Sequence, residues 1–207
     1  MKKILGFVAV LAMLVSAPAA MAGQEKYYSL NSSADSTHVS FSEDGCVLTR
    51  VSLSADDDVR DQKNATKISH EIVSSVYVSI QRYSVCWPFQ YHIYVSYWSG
   101  INLQDFGLSK NLKTADLKTG VWIFDYVSWS YKYVEIDMTW TGTGKVGGGA
   151  YNWADPDYNL QRQSYKGKFL RGKATGTVLM DGENLTPGDS ESAATSRGTS
   201  TLIMRVD

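Results

Sequence analysis

The stretch GVWIFDYVSWSYKYVEIDMTWTGTG, residues 120–144, is the densest run of aromatic and β-branched residues in the chain. Its first arm, residues 121–127, alternates with the two-residue period of a β-strand and carries bulky side chains on both faces. Its second arm, residues 131–141, places apolar side chains on one face and tyrosine, charged or hydroxyl side chains on the other. The pattern predicts a β-hairpin with one face in the core, ending in a glycine-rich loop.

Similar alternation recurs along the chain, separated by turn sequences at the spacing of an all-β domain. No segment has the period of a helix longer than two turns. We predict an antiparallel β-sandwich of about eight or nine strands, with a β-barrel as the alternative. Order is expected to begin at Thr37, which makes residues 23–36 a flexible N-terminal lead and residues 37–207 a single domain.

The first 22 residues have the pattern of a secretory signal peptide. Lys2 and Lys3 precede an apolar run at residues 4–15, and Ala20-Met21-Ala22 forms a cleavage site before Gly23. We therefore expect export, with cleavage near Ala22, to the periplasm or to the outside of the cell. No later segment approaches the roughly 20 apolar residues of a membrane-spanning helix.

Net charge indicates which class of partner to exclude, and the cysteine content indicates which covalent link to expect. Removing the two leader lysines leaves 18 basic residues against 21 acidic ones, so no basic stripe suggests a nucleic acid partner. The chain has two cysteines, Cys46 and Cys86. In an oxidising compartment they predict one disulfide, and closing a loop of that length stabilises a fold by about 4 kcal/mol.

Aromatic residues give the strongest functional signal. Loops are predicted at residues 56–69 and 142–160, and a long loop without its own structure often carries function. Several aromatic residues fall in turns, in the second loop or on the polar face of the hairpin, where rings suit stacking on sugars or anchoring a protein interface. The predicted binding residues are Trp129, Tyr131, Glu135, Asp137, Tyr151, Trp153 and Tyr158.

Glu135 and Asp137 also supply the alternative function. They share a strand face with Tyr131 and Tyr133, and two carboxylates beside tyrosines are what a glycosidase cleft offers as acid and base or nucleophile. A solvated outer face is the simpler interpretation of such a pair. Because no complete catalytic set occurs in the sequence, we expect a non-enzymatic binding protein and keep a secreted hydrolase as the alternative.

No metal site or cofactor is predicted, although calcium is a weak alternative. The three histidines are far apart in the sequence and have no ligand spacing. Two groups of oxygen ligands lack the order of a dedicated calcium loop. These groups are Asp56-Asp57-Asp58 with Asp61, and Asn152 with Asp155 and Asp157.

Two motifs carry a family resemblance. The segment Tyr83-Ser84-Val85-Cys86 and the run DMTWTGTG at residues 137–144 are similar to a group of uncharacterised exported bacterial proteins that share Y-x-x-C and D-x-T-W-x-G-x-G. The resemblance covers most of residues 37–144, and the sequence departs from the pattern after Gly144. It implies an exported β-rich protein and brings no activity with it.

These observations together predict a secreted β-sandwich that binds through aromatic-rich loops. The expected partner is a polysaccharide or a cell-surface protein. Self-association is a further prediction, by donation of a strand from residues 23–36 to a second copy.

Overall fold

The computed structural model describes residues 23–63, 68–95, 99–155 and 161–206, and the regular structure in these ranges is entirely β. The predicted all-β class is confirmed. The twelve strands are β1 (Gly23–Phe41), β2 (Val47–Lys63), β3 (Ile68–Ser84), β4 (Tyr91–Val95), β5 (Ser99–Gly100), β6 (Phe106–Leu108), β7 (Thr114–Asp125), β8 (Ser130–Gly142), β9 (Gly147–Asp155), β10 (Gln161–Met180), β11 (Glu183–Asn184) and β12 (Ser192–Val206).

All twelve strands belong to one antiparallel sheet that curls on itself. Along the sheet, β10, β12, β1, β2, β3, β4 and β7 follow one another, and β8 pairs with both β7 and β10. The joint between β4 and β7 has only two residue pairs, so the sheet is barrel-like without being a fully closed barrel. Three strands have two or three residues, which leaves nine longer ones and agrees with the predicted eight or nine.

The β7–β8 hairpin has the predicted alternation. Val121 and Ile123 point inward from β7, and the predicted apolar face of β8 is buried from Val134 to Trp140. The indole of Trp140 donates a hydrogen bond to the backbone carbonyl of Asp35 at 3.0 Å. This hairpin thus supplies one wall of the core, as its sequence pattern indicates.

β1 departs most from the sequence prediction. The expected flexible lead is wrong, because residues 23–36 lie in β1 and pair with β12 on one side and with β2 on the other. At the end of β1 the polar side chain points inward: His38 is buried, whereas Val39 and Phe41 are exposed. The two ladders satisfy the backbone polar groups, so small and polar side chains suffice for this strand.

Two predicted loops are also strands. Residues 56–63 complete β2 and residues 68 and 69 begin β3, so most of the predicted 56–69 loop is paired sheet. Within the predicted 142–160 loop, β9 forms a hairpin with β10. In both places charged or small residues stand where an apolar residue would recur every second position. Strands outside the core therefore show no apolar pattern in the sequence.

The long strands divide the molecule into two halves. The packed half contains residues 34–55 and 76–84 with β4, β7, β8 and the end of β10, and it encloses the apolar core. The open half contains residues 23–33, 56–63 and 68–75 with β9, most of β12 and the start of β10, and its side chains are largely exposed or partly exposed.

A polar layer separates the two halves on the inward face. Ser32, Asp57, Ser74 and Arg197 lie side by side on neighbouring strands. Arg197 donates to Ser32 Oγ at 3.0 Å and to the carbonyl of Leu108 at 2.9 Å, and Ser74 donates to Asp57 at 2.5 Å. The segment around β6 is therefore held across the inward face, where it closes the core.

Cys46 and Cys86 form the predicted disulfide, with Cα atoms 5.1 Å apart, at the packed end of β2 and β3. Within the described ranges, no helix is long and apolar enough to cross a membrane. The predicted signal peptide, residues 1–22, lies outside the described residues.

Candidate functional site

Aromatic rings cover the outer face of the β7–β8 hairpin near its turn. Trp122 contacts Tyr133 across the strands and Phe124 contacts Tyr131, each pair with ring centres 5.2 Å apart. The ring of Phe124 also contacts two further rings, with centres 5.1 and 5.9 Å away. We name these six residues the hairpin aromatic face: Trp122, Phe124, Tyr126, Trp129, Tyr131 and Tyr133.

The hairpin aromatic face is open to solvent. Trp129 is 79% exposed, Tyr131 66% and Trp122 61%, although rings of this size are usually well covered in a monomer. A contiguous exposed apolar patch on a soluble domain marks an interaction site more often than a scattering of single residues does. The patch is therefore the strongest candidate for a binding surface on the described part of the chain.

The turn at the end of the hairpin is built by Asp125. This buried carboxylate accepts a hydrogen bond from the backbone N–H of Val127 at 2.8 Å and another from the hydroxyl of Ser128. Burial raises the pKa of Asp125, but these hydrogen bonds outweigh burial, and the net pKa lies below its usual value. A charged Asp125 therefore fixes the turn that presents Trp129.

Trp129 has a left-handed backbone conformation, with φ of 52°. A residue other than glycine adopts this region at a cost of about 1–2 kcal/mol. The fold thus holds a bulky, exposed ring in a strained position at the tip of the hairpin. Strain of this kind concentrates at functional sites.

Glu135 and Asp137 continue the same outer face of β8 beyond the aromatic rings. Both side chains are exposed, and Lys118 Nζ lies 3.0 Å from Asp137 Oδ2. The carboxylates stand side by side on an open strand, whereas a glycosidase places its two carboxyl groups on either side of the bond to be cleaved. The two carboxylates are therefore better placed to accept hydrogen bonds beside the aromatic face than to act as the acid and base of a hydrolase.

The other predicted aromatic residues lie elsewhere. Tyr151 and Trp153 are half-exposed on the outer face of β9, where Tyr151 stacks on Tyr165 with ring centres 5.4 Å apart. Tyr158 lies outside the described residues. The structure therefore brings Trp129, Tyr131, Glu135 and Asp137 onto one surface and places Tyr151 and Trp153 on another.

Sequence reasoning missed part of the site. The alternation predicts a strand with bulky side chains on both faces, but it does not show that Trp122 and Phe124 meet Tyr133 and Tyr131 across the hairpin. The local signal is Asp125, since an Asp side chain commonly hydrogen-bonds the backbone two residues further on and so marks a turn. A further exposed aromatic pair was also missed: Trp87 and Phe89, beside the disulfide, are 86% and 70% exposed.

Three of the grooves formed by the described residues lie away from the hairpin aromatic face. The largest, about 750 Å³, opens over the outer face of β12, β1 and β2, with a floor of small and hydroxyl side chains. Its charged and aromatic lining residues are Asp35, Tyr77, Arg171 and Glu191. The other two, about 400 and 340 Å³, lie in the open half. None of the three is lined by Glu135 or Asp137.

Titratable groups do not gather into a metal centre in the part of the chain that the structure describes. No three His, Cys, Asp or Glu side chains there are placed to hold an ion. His38 is buried, neither ring nitrogen has a hydrogen-bond partner, and burial lowers its pKa against an opposing effect of Asp189. Burial raises the pKa of Asp56 to about 6, with a smaller contribution from Asp35.

The fold and this surface define an all-β protein with an exposed aromatic face on its β7–β8 hairpin. No family model matches the chain, and no curated protein does. Among solved structures, an acetoacetate decarboxylase-like enzyme from Sphingomonas wittichii RW1 is similar over 91% of this chain and 94% of that one, at 9% identity and a TM-score of 0.24. A likeness this distant carries no argument about either fold or activity.

Proposed function

We propose that this chain is an exported, non-enzymatic protein that binds an extended β-linked polysaccharide through the hairpin aromatic face. The observation that carries the proposal is the grouping of six aromatic rings on one outer sheet face, of which Trp129, Tyr131 and Trp122 are the most exposed. An exposed aromatic surface of this size has no role in the packing of the core, which lies on the other side of the same strands.

The chemistry of the face fits a sugar chain. The flat C–H faces of pyranose rings pack on aromatic rings, and tyrosine and tryptophan add a polar group at the edge of each ring. Two rows of rings, Trp122 with Tyr133 and Phe124 with Tyr131, lie two residues apart along the strands, which is about 6.6 Å. An extended glycan can therefore contact both rows and Trp129 together.

The neighbouring charged residues fit the same ligand. The carboxylates of Glu135 and Asp137 accept hydrogen bonds, and the ammonium group of Lys118 donates them. Sugar hydroxyls are both donors and acceptors, so this mixed edge complements them without selecting for a charged partner. The surface thus combines an apolar platform with a polar margin, as binding sites commonly do.

The test is retention of the purified protein on microcrystalline cellulose and on chitin beads. We expect the wild type to be retained on at least one of the two, and the double variant Trp122→Ala/Tyr131→Ala to lose at least tenfold in retention. Each truncated ring removes an exposed contact without opening the core, so the variant should unfold at nearly the same urea concentration as the wild type.

The matched control is Trp87→Ala/Phe89→Ala, which removes an even more exposed aromatic pair that is not part of the hairpin aromatic face and lies in the segment before β4. This variant should be retained like the wild type. Equal loss in both double variants would show nonspecific adhesion of exposed rings. That result, or no retention of the wild type on either glycan, would overturn the proposal.

A further inference from the structure

β9 is a long strand with a free edge. Its nine residues pair with β10 on one side, and among the described residues no strand pairs with the other side. Residues 148–154 are all exposed, so both faces of the strand meet solvent. A strand that is covered on neither face gains little from burial, so its stability rests on the backbone hydrogen bonds to neighbouring strands.

The usual protections of a sheet edge are missing from β9. Natural edges are commonly blunted by lysine, proline, a bulge or a very short strand. β9 has none of these: its sequence, GGGAYNWAD, has its single charge at the last position, and no residue in it has a positive φ. The other described edge of the open half, in β3, carries His70 and Glu71.

Several strand glycines of the sheet are covered by the aromatic ring of a neighbouring residue. Gly147 lies opposite Phe169, whose ring occupies the place that a Cβ on Gly147 would take. The ring of Tyr133 covers Gly120 in the same way, and that of Tyr165 covers Gly167. Gly149, on the same outer face of β9, has no atom within 4 Å of its Cβ position. It is a strand glycine without an aromatic cover.

We infer that two copies of this chain pair edge to edge through β9, antiparallel about a two-fold axis at Tyr151. In that register Trp153 of each copy lies opposite Gly149 of the other, which repeats the arrangement of Phe169 and Gly147. Tyr151 lies opposite Tyr151. On the inner face, Ala150 meets Asn152 and Gly148 meets Ala154, so no large side chains collide and no like charges meet.

The pairing joins the open halves of two molecules into one continuous sheet. Each β9 gains a second ladder of backbone hydrogen bonds, the mode of recognition by which free edges bind extended strands. A two-fold axis makes the contact isologous, so that association stops at the dimer. The proposal does not depend on glycan binding, because the hairpin aromatic face and β9 lie on different strands and share no residue.

Analytical ultracentrifugation of the purified full chain tests the dimer. We expect wild type at 50 µM to sediment with twice the mass of one chain. Tyr151→Lys should be monomeric, because it sets two ammonium groups opposite each other at the axis, and Tyr151→Glu should be monomeric for the same reason. An equimolar mixture of the two variants should restore the dimer, which a nonspecific loss of folding would not do.

Cysteine crosslinking tests the register. The described residues contain no free cysteine, so an added thiol reports only on its own neighbours. Directly opposed residues in an antiparallel pair have Cα atoms about 4.5–5.5 Å apart, within disulfide reach. Tyr151→Cys should form a covalent dimer under mild oxidation, and Trp153→Cys should form at least fivefold less covalent dimer.

Three results would overturn the inference. A monomeric wild type excludes the contact, and a dimer that survives Tyr151→Lys places the interface elsewhere. Species larger than a dimer would show a head-to-tail contact of β9 with another edge. Glycan retention measured on Tyr151→Lys separates this inference from the proposed function, since we expect that variant to be retained like the wild type.

Discussion

The packed half and the open half share the same strands but differ in what stabilises them. On β2, the inward side chains are Val51, Leu53 and Ala55 in the packed half and Asp57, Val59 and Asp61 in the open half. The ladder between β1 and β2 nevertheless runs without interruption from Phe41 to Lys26. Backbone pairing therefore extends these two strands well beyond the apolar core. The length of a strand here does not depend on the burial of its side chains.

The largest expected difference between the halves lies in two tryptophans. Trp140→Ala should lower the free energy of unfolding by about 4 kcal/mol, because it leaves a cavity in the packed half and removes the hydrogen bond to Asp35. Trp153→Ala in the open half should cost the monomer less than about 1 kcal/mol, at a protein concentration too low for pairing through β9. Urea titration of both variants checks this, and equal losses would mean that the two halves are equally packed.

The polar layer between the halves should give the next largest effect. Arg197→Met removes two hydrogen bonds and the positive charge that opposes the burial-raised pKa of Asp57, so we expect a loss of about 2 kcal/mol at pH 7.5. The loss should shrink as the pH falls, because protonated Asp57 no longer needs the charge. Lys168→Met, in the exposed position beside Arg197, should change stability little at any of these pH values.

Replacing Asp56 should raise the free energy of unfolding, whereas replacing Arg197 should lower it. Its pKa is about 6 in the fold and 3.8 when unfolded, so the folded state binds the proton first as the pH falls and gains stability between about pH 6 and pH 4. Asp56→Asn should remove this dependence and raise stability at pH 7.5 by about 1–2 kcal/mol. Chemical unfolding at a series of pH values checks it, and a variant less stable than the wild type at pH 7.5 would contradict it.

The smallest expected change concerns His38 in the packed half. Because burial lowers its pKa, the unfolded state takes up the proton first, and stability should fall as the pH drops below about 6.5. His38→Leu should remove this loss and should be at least as stable as the wild type at pH 8, since it deletes two unpaired buried nitrogens. An unchanged slope of stability against pH would show that another group titrates.

The comparison also explains what could be predicted from the sequence. The β7–β8 hairpin and its buried face were predicted correctly because burial imposes an apolar period of two on a strand. Residues 23–36 of β1, the end of β2 and β9 were predicted as lead or loop because most of their side chains are polar, small or charged. Their strands form through pairing with neighbours that lie far away in the sequence, and no local pattern records that pairing.

The candidate site was predicted in part for the same reason. Trp129 and Tyr131 stood out as aromatics outside the core pattern, and they do lie on one surface. Trp122 and Phe124 join them only through the cross-strand register, which the turn built by Asp125 sets. Tyr151 and Trp153 looked like part of the same site until the ladder with β10 placed them on a different strand.

The position of the disulfide gives the chain a topological property. Cys46 precedes β2 and Cys86 follows β3, while the backbone joins the other ends of these strands between Lys63 and Ile68. The chain from Cys46 to Cys86 is therefore a covalent ring. A protease that cuts once between Lys63 and Ile68 opens the ring without releasing a fragment, so the nicked protein should keep its full mass until a reducing agent separates its two pieces.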